Sequence, residues 1–179
     1  MKKTLKRSLI MILATVLLIG TFAVTADAAM KRTVKKQDET TRISTANKKA
    51  AKVKKGTTNL TFTKGQGYLK FVAPKTKTYS FTFSNMKVKG GNDLGMIRFN
   101  KKDKLYPKEL TQIEVSTKGG KTEYITLMST GWKELKKGKT VDHMLHKRTA
   151  KTKLKKGEAL YIYFDTIDGN KTNVKLVIK

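Results

Sequence analysis

The sequence has no cysteine, two prolines and two histidines, and its 13 acidic residues face 40 lysines and arginines. The absence of cysteine excludes a disulfide framework, a thiolate zinc site, a cysteine nucleophile and a lipidated N-terminal cysteine. If exported, such a chain must be stabilised by its apolar core, without disulfide staples. Long apolar runs are equally scarce. One occurs near the N-terminus and none follows, and the apolar C-terminal stretch at 174–179 is too short to span a bilayer. The scarcity of acids leaves a formal charge of +27, which makes an acidic or electroneutral surface the natural partner. A length of 179 residues suits one domain with appendages.

The first feature present is the N-terminus itself. Lys2, Lys3, Lys6 and Arg7 precede the apolar stretch 9–20, and Ala26-Asp27-Ala28-Ala29 follows. A positive region, an apolar region and a small-x-small site define a secretory signal peptide, here residues 1–28. Cleavage after Ala28 leaves a mature charge of +24 and no membrane span. The expected location is extracellular, with retention at the cell surface by charge. Export makes intracellular cofactors and a physiological nucleic-acid partner improbable.

Residues 29–55 follow as a lysine-rich leader. Its cations are Lys31, Arg32, Lys35, Lys36, Arg42, Lys48, Lys49, Lys52, Lys54 and Lys55, set against Asp38 and Glu39. Its large apolar residues are too sparse to cover a face, so the segment is expected to be flexible. Val34 and Ile43 share no helical stripe, which argues against a membrane-inserting helix. As an electrostatic arm it would dock on cell-wall phosphodiester polymers, glycosaminoglycans or anionic lipid surfaces. As a spacer it would simply be solvated.

From Gly56 the apolar residues recur every second position, the strand period. Tyr79, Phe81 and Phe83 alternate with Thr78, Ser80, Thr82 and Ser84; Leu69, Phe71 and Ala73 do the same. Leu160/Ile162/Phe164 and Val174/Leu176/Ile178 form two more such runs, and Asp168-Gly169 between them is a hairpin signal. Further candidates lie at 60–63, 94–99, 113–117, 124–128 and 141–149. Helix signals are poor, with a single turn at 132–137 the one candidate. This pattern predicts an all-β fold over residues 56–179, an antiparallel β-sandwich, with a barrel as the alternative.

Three segments carry a resemblance. Residues 70–83 run from an apolar strand through a Thr-containing turn into Tyr79-Ser80-Phe81, residues 93–103 open on Asp93-Leu94 and end at Asp103, and residues 154–163 read Leu-x-x-Gly followed by Tyr161 and Tyr163. Together they resemble the bacterial pre-peptidase C-terminal domains. Lys77 stands where glycine is common in that family, and residues 104–150 form a lysine-rich insertion. The resemblance implies a jelly-roll-like sandwich used as an accessory or binding module, in some members with calcium.

Conventional chemistry is hard to assemble from this chain. His143 and His146 with Asp142 lack a third zinc ligand that is not a sequence neighbour. Asp165, Asp168 and Asn170, or Asn92, Asp93 and Asp103, supply two or three calcium oxygens per loop where six to eight are needed, and turn formation already accounts for them. No Gly-x-Ser-x-Gly elbow and no carboxylate pair stands out. The expectation is a protein with no catalytic residues, no metal and no cofactor.

Binding residues are the remaining option. Tyr161 and Tyr163 alternate away from the apolar positions of their strand, so they are expected to face outward beside Lys175. Trp132, the single tryptophan, follows Gly131 in a lysine-rich loop, as an exposed platform or as a plug for one end of the sandwich. After cleavage, 32 of 36 cations are lysine. Lysine acts as a hydrated point charge, whereas arginine makes bidentate contacts, so the surplus suggests diffuse attraction to polyanions or plain solubility. The sequence thus points to a secreted, non-enzymatic binding or adhesion module for anionic polymers. A calcium-binding accessory domain and a cationic membrane-active effector are the alternatives.

Overall fold

The period-two pattern becomes strands wherever one face has a core to bury against. The computed structural model describes residues 28–40, 42–102, 110–130 and 146–179. In chain order the elements are β1 (Met30–Val34), α1 (Ile43–Lys49), β2 (Ala51–Val53), β3 (Gly56–Phe62), β4 (Gly67–Val72), β5 (Lys77–Val88) and β6 (Leu94–Lys102). Then come β7 (Leu110–Gln112), β8 (Val115–Thr117), β9 (Gly120–Thr122), β10 (Tyr124–Met128), β11 (Lys147–Leu154), β12 (Ala159–Thr166) and β13 (Thr172–Ile178). The first sheet has the order β1-β3-β13-β5-β11-β8-β9; the second runs β10-β6-β12-β4-β2, with β7 also paired to β6. Most pairs are antiparallel, and β1 and β2 add to β3 and β4 in parallel. The fold is an all-β sandwich.

The two inner faces meet through aromatic side chains. Phe62 stacks on Phe164 at 4.4 Å between centroids, and Phe71 meets Tyr79 and Phe81 edge-on at 5.0 and 5.5 Å. Phe99 lies 6.1 Å from Phe81 and 6.5 Å from Phe83. Every one of these pairs joins a strand of one sheet to a strand of the other. Tyr79 keeps its buried hydroxyl satisfied at the preceding turn, donating to the Lys75 carbonyl at 2.8 Å and accepting from the Lys75 amide at 3.1 Å.

Two expectations need correction. The Asp168-Gly169 turn does not close a hairpin, because β12 lies in the second sheet between β6 and β4 while β13 lies in the first between β3 and β5. Gly169 does adopt the left-handed conformation expected of a turn glycine, at φ 63°. A turn signal reports local backbone, not the partner of the next strand. Both strands face one core, but from opposite sides.

The leader is not a free arm either. β1 pairs with β3 over five residues, from Met30 opposite Thr58 to Val34 opposite Phe62, and β2 pairs with β4. Backbone amides and carbonyls of any composition can extend a sheet edge. Two apolar side chains, Val34 and Val53, enter the core from these strands. The Arg32 Nε donates to the Lys52 carbonyl at 3.3 Å, linking the two edges. The folded unit therefore includes Met30–Val34 and Ala51–Val53, upstream of Gly56. Of the remaining expectations, the signal segment before residue 28, the turn at 132–137 and the start of the 141–149 strand lie outside the described residues.

Gly67 marks how closely the leader is seated. Its φ is 156°, and a Cβ there would stand 2.8 Å from both the Lys35 carbonyl oxygen and Val34 Cγ1. Gly67→Ala should therefore cost about 1–3 kcal/mol through overpacking. The check is the urea midpoint together with hydrogen exchange at Met30–Val34, which should lose protection first.

Candidate functional site

The two outer faces of the sandwich have opposite chemistry. On the second sheet, Tyr68 of β4 and Tyr161 and Tyr163 of β12 occupy the positions that alternate away from the core. They are not exposed: Tyr161 is 3% and Tyr163 5% accessible. This overturns the expectation of an aromatic platform there. Residues 35–40 and 42–50 lie across this face, and Ala46 of α1 packs with the three tyrosines while Ala50 and Ala159 lie against them. Tyr68 and Tyr163 stand 4.8 Å apart, and Lys70 Nζ lies 5.7 Å from the Tyr161 ring centroid.

Polar contacts hold the covering segment down. The Tyr68 hydroxyl accepts from the Thr40 amide at 3.1 Å and donates to the Thr40 carbonyl at 3.2 Å. Arg98 Nη1 reaches both oxygens of Glu39 at 2.6 Å, Gln66 Nε2 donates to Asp38 Oδ1, and Lys70 Nζ donates to Asn47 Oδ1. Burial raises the phenol pKa of Tyr161. Burial is also the main cause for Tyr163, followed by Asp165, Glu39, Tyr68 and Asp38. In Tyr68 burial again leads, with Glu39 adding to it and the Thr40 hydrogen bond and Arg98 opposing it. Asp165 is raised by burial first and by Glu39 second, with Arg98 opposing.

The first sheet's outer face is bare by comparison. The strands β1, β3, β13, β5 and β11 contain no aspartate or glutamate. Their outward positions carry Lys31, Lys87, Lys147, Lys151, Lys153 and Lys175 among serine, threonine and asparagine, with Val177 the apolar exception. None of these six lysines has a carboxylate within 4 Å among the described residues; the ion pairs there are Lys36–Asp38, Arg98–Glu39, Lys101–Glu158 and Lys121–Glu114.

Strand register aligns part of this field. Lys147 lies opposite Ser84, Ser84 opposite Lys175, Lys175 opposite Asn59, and Asn59 opposite Lys31. A straight row thus crosses five strands as Lys–Ser–Lys–Asn–Lys. A second row, Lys151–Ser116–Lys121, repeats the alternation at the far edge. Over the Lys175–Asn59–Lys31 end of the first row lies a groove of about 420 Å³, lined in part by Asn59, Asn85, Asn173, Lys31, Arg32 and Lys175. Asn85 has a φ of 53°, the one non-glycine residue in the left-handed region among those described. It sits at a bulge, where Val174 alone faces Asn85 and Met86 between the pairs Asn173–Lys87 and Lys175–Ser84. The bulge lets Ser84 and Asn85 both face outward while Phe83 and Met86 stay in the core.

The other proposed cations are dispersed. Lys35 is exposed, Lys36 pairs with Asp38, and Lys48 and Lys49 end α1. Lys52, Lys54 and Lys55 line a separate groove of about 600 Å³ beside Val72 and Pro74. Trp132 and His143 lie outside the described residues. Of the turn acids, Asp103 lies outside the described residues, while Asp93 Oδ1 accepts from the Leu94 amide at 2.7 Å and Oδ2 from the Asp168 amide at 3.1 Å. Among the described residues no three His, Asp or Glu side chains gather as a metal site. No helix among them is long and apolar enough to cross a membrane.

No protein-family model matches the sequence, and no curated protein matches it. Among solved structures, the chain is similar to the surface-associated copper-binding protein CorA of Methylomicrobium album BG8, important in copper acquisition there. The TM-score is 0.41 at 6% identity, over 73% of this chain and 98% of that one. A likeness at this level carries no argument about what this chain binds.

The tyrosine face generates a pH prediction. Phenols held above their ordinary value of about 10 stay protonated in the fold while the unfolded chain loses protons, so stability should fall as pH rises past about 10. Alkaline unfolding followed by phenolate absorbance should show tyrosines that ionise only as the fold is lost. Tyr68→Phe, which breaks both Thr40 contacts, should cost about 1–2 kcal/mol in urea denaturation.

Proposed function

We propose that the protein is an exported, non-enzymatic binding or adhesion module that holds anionic polymers of a cell envelope or matrix on the outer face of its first sheet. One observation carries this reading: the outward positions of five adjacent strands carry six lysines and not one acid. Neutralising a polyanion with such a face releases condensed counterions, which drives association without requiring a pocket. Lysine rather than arginine fits a partner recognised by charge over a wide area. The lysines of α1 and β2 add to the overall attraction from other surfaces. The N-terminal signal pattern supports export, and an accessory role is what the pre-peptidase resemblance implies.

Binding of the mature protein to a wall phosphodiester polymer and to heparin across a sodium chloride series tests the reading. Affinity should fall steeply and log-linearly with salt. Replacing Lys147, Lys151 and Lys153 together by glutamine should lower the slope of log K against log salt by about two, as three phosphate or sulfate contacts are lost. The β-sheet circular dichroism should be unchanged. Salt-independent binding, or an unchanged slope in the triple variant, would contradict the proposal.

A further inference from the structure

Resting on the polyanion reading, we infer that the groove on the first sheet selects one polymer class: a linear polysaccharide carrying one carboxylate on every second sugar. The argument starts from spacing. Neighbouring strands are about 4.8 Å apart, so alternate strands put Lys147, Lys175 and Lys31 at successive intervals of about 10 Å along the row. That interval is about two pyranose units. Inorganic polyphosphate and nucleic acids carry their charges more closely, and most of their anions would fall between the lysines.

What lies between the lysines is the second part of the argument. Ser84 and Asn59 fill the intervening positions of the row, and Asn85 and Asn173 flank them. A carboxamide both donates and accepts, so it matches a sugar hydroxyl in either sense. A phosphate oxygen can use only the donor half, leaving the amide oxygen facing a like partial charge. The Thr61 hydroxyl donates to Asn173 Oδ1 at 2.7 Å, which holds that carbonyl and leaves its NH2 to donate. Asn59 and Asn85 have no side-chain partner among the described residues, so both retain their full capacity for a ligand.

The third part is the backbone at Asn85. A non-glycine residue at positive φ on a bulge costs conformational energy, and such positions concentrate at functional sites. Here the bulge brings a third carboxamide beside the lysine row without moving Phe83 or Met86 out of the core.

Three probes separate this inference from its parent reading: hyaluronan, with one carboxylate per disaccharide; polygalacturonate, with one per sugar; and inorganic polyphosphate. Titrated at equal salt, hyaluronan should bind at least as tightly as the two denser polyanions, against the order that charge density alone would give. The double variant Asn59→Ala/Asn173→Ala keeps every charge and changes two outward positions. It should weaken hyaluronan at least tenfold and polyphosphate less than twofold. Asn85→Gly, which relieves the backbone while removing the amide, should weaken hyaluronan alone. Affinities ranked by charge density, or equal losses for all three polymers in the asparagine variants, would overturn the selectivity while leaving polyanion binding intact. Failure of the wild-type protein to bind any of the three at low salt would overturn both.

Discussion

The contact between the two sheets is what the rest of this molecule depends on. With no disulfide to join them, Phe62, Phe71, Tyr79, Phe81, Phe83, Phe99 and Phe164 must hold them by burial and by ring-on-ring packing. That requirement sets the inner positions of nearly every strand and leaves the outer positions to follow different rules. On the second sheet they include three tyrosines, which must be covered. Residues 35–40 and 42–50 cover them, and β1 and β2 anchor the cover to both sheet edges. On the first sheet the outer positions are lysine, threonine, serine and asparagine with the one valine Val177, and such polar groups need no cover.

So large a surplus of one charge works against a compact state. The first sheet limits that cost by register. Like charges directly opposite on neighbouring strands destabilise a sheet, and in the lysine rows a hydroxyl or an amide always intervenes. The resulting interval of about 10 Å is close to the screening length at physiological salt. On the second sheet Lys52 does lie opposite Lys70, and there the Tyr161 ring and the Asn47 carbonyl meet the Lys70 ammonium. Stability and a cationic field are thereby reconciled on the same strands.

Much of the sandwich was legible because burial on one face writes itself as alternation. Tyr79, Phe81 and Phe83 are all core residues, as their spacing implied. What could not be read depends on partners distant in sequence. β1 and β2 join the sheets through backbone groups, and the many lysines around Val34 and Val53 conceal their burial. β11 has two core residues, Ala150 and Leu154, among four cations and two threonines, so its period is faint. Tyr161 and Tyr163 do point away from the core, but a segment more than a hundred residues earlier covers them. Lys175 was identified with the wrong neighbours, since its row partners are Asn59 and Ser84 and not the tyrosines. The row itself exists only in register, which no local pattern encodes.

Lysine footprinting tests the central claim, that binding belongs to the outer face of the first sheet. The protein would be acylated with and without hyaluronan at low salt, and each lysine's reactivity read by mass spectrometry. The account predicts protection of Lys31, Lys147 and Lys175, with Lys48, Lys49, Lys54 and Lys55 labelled as in the free protein. Protection confined to the lysines of α1 and the β2–β3 junction, with the row fully reactive, would contradict it.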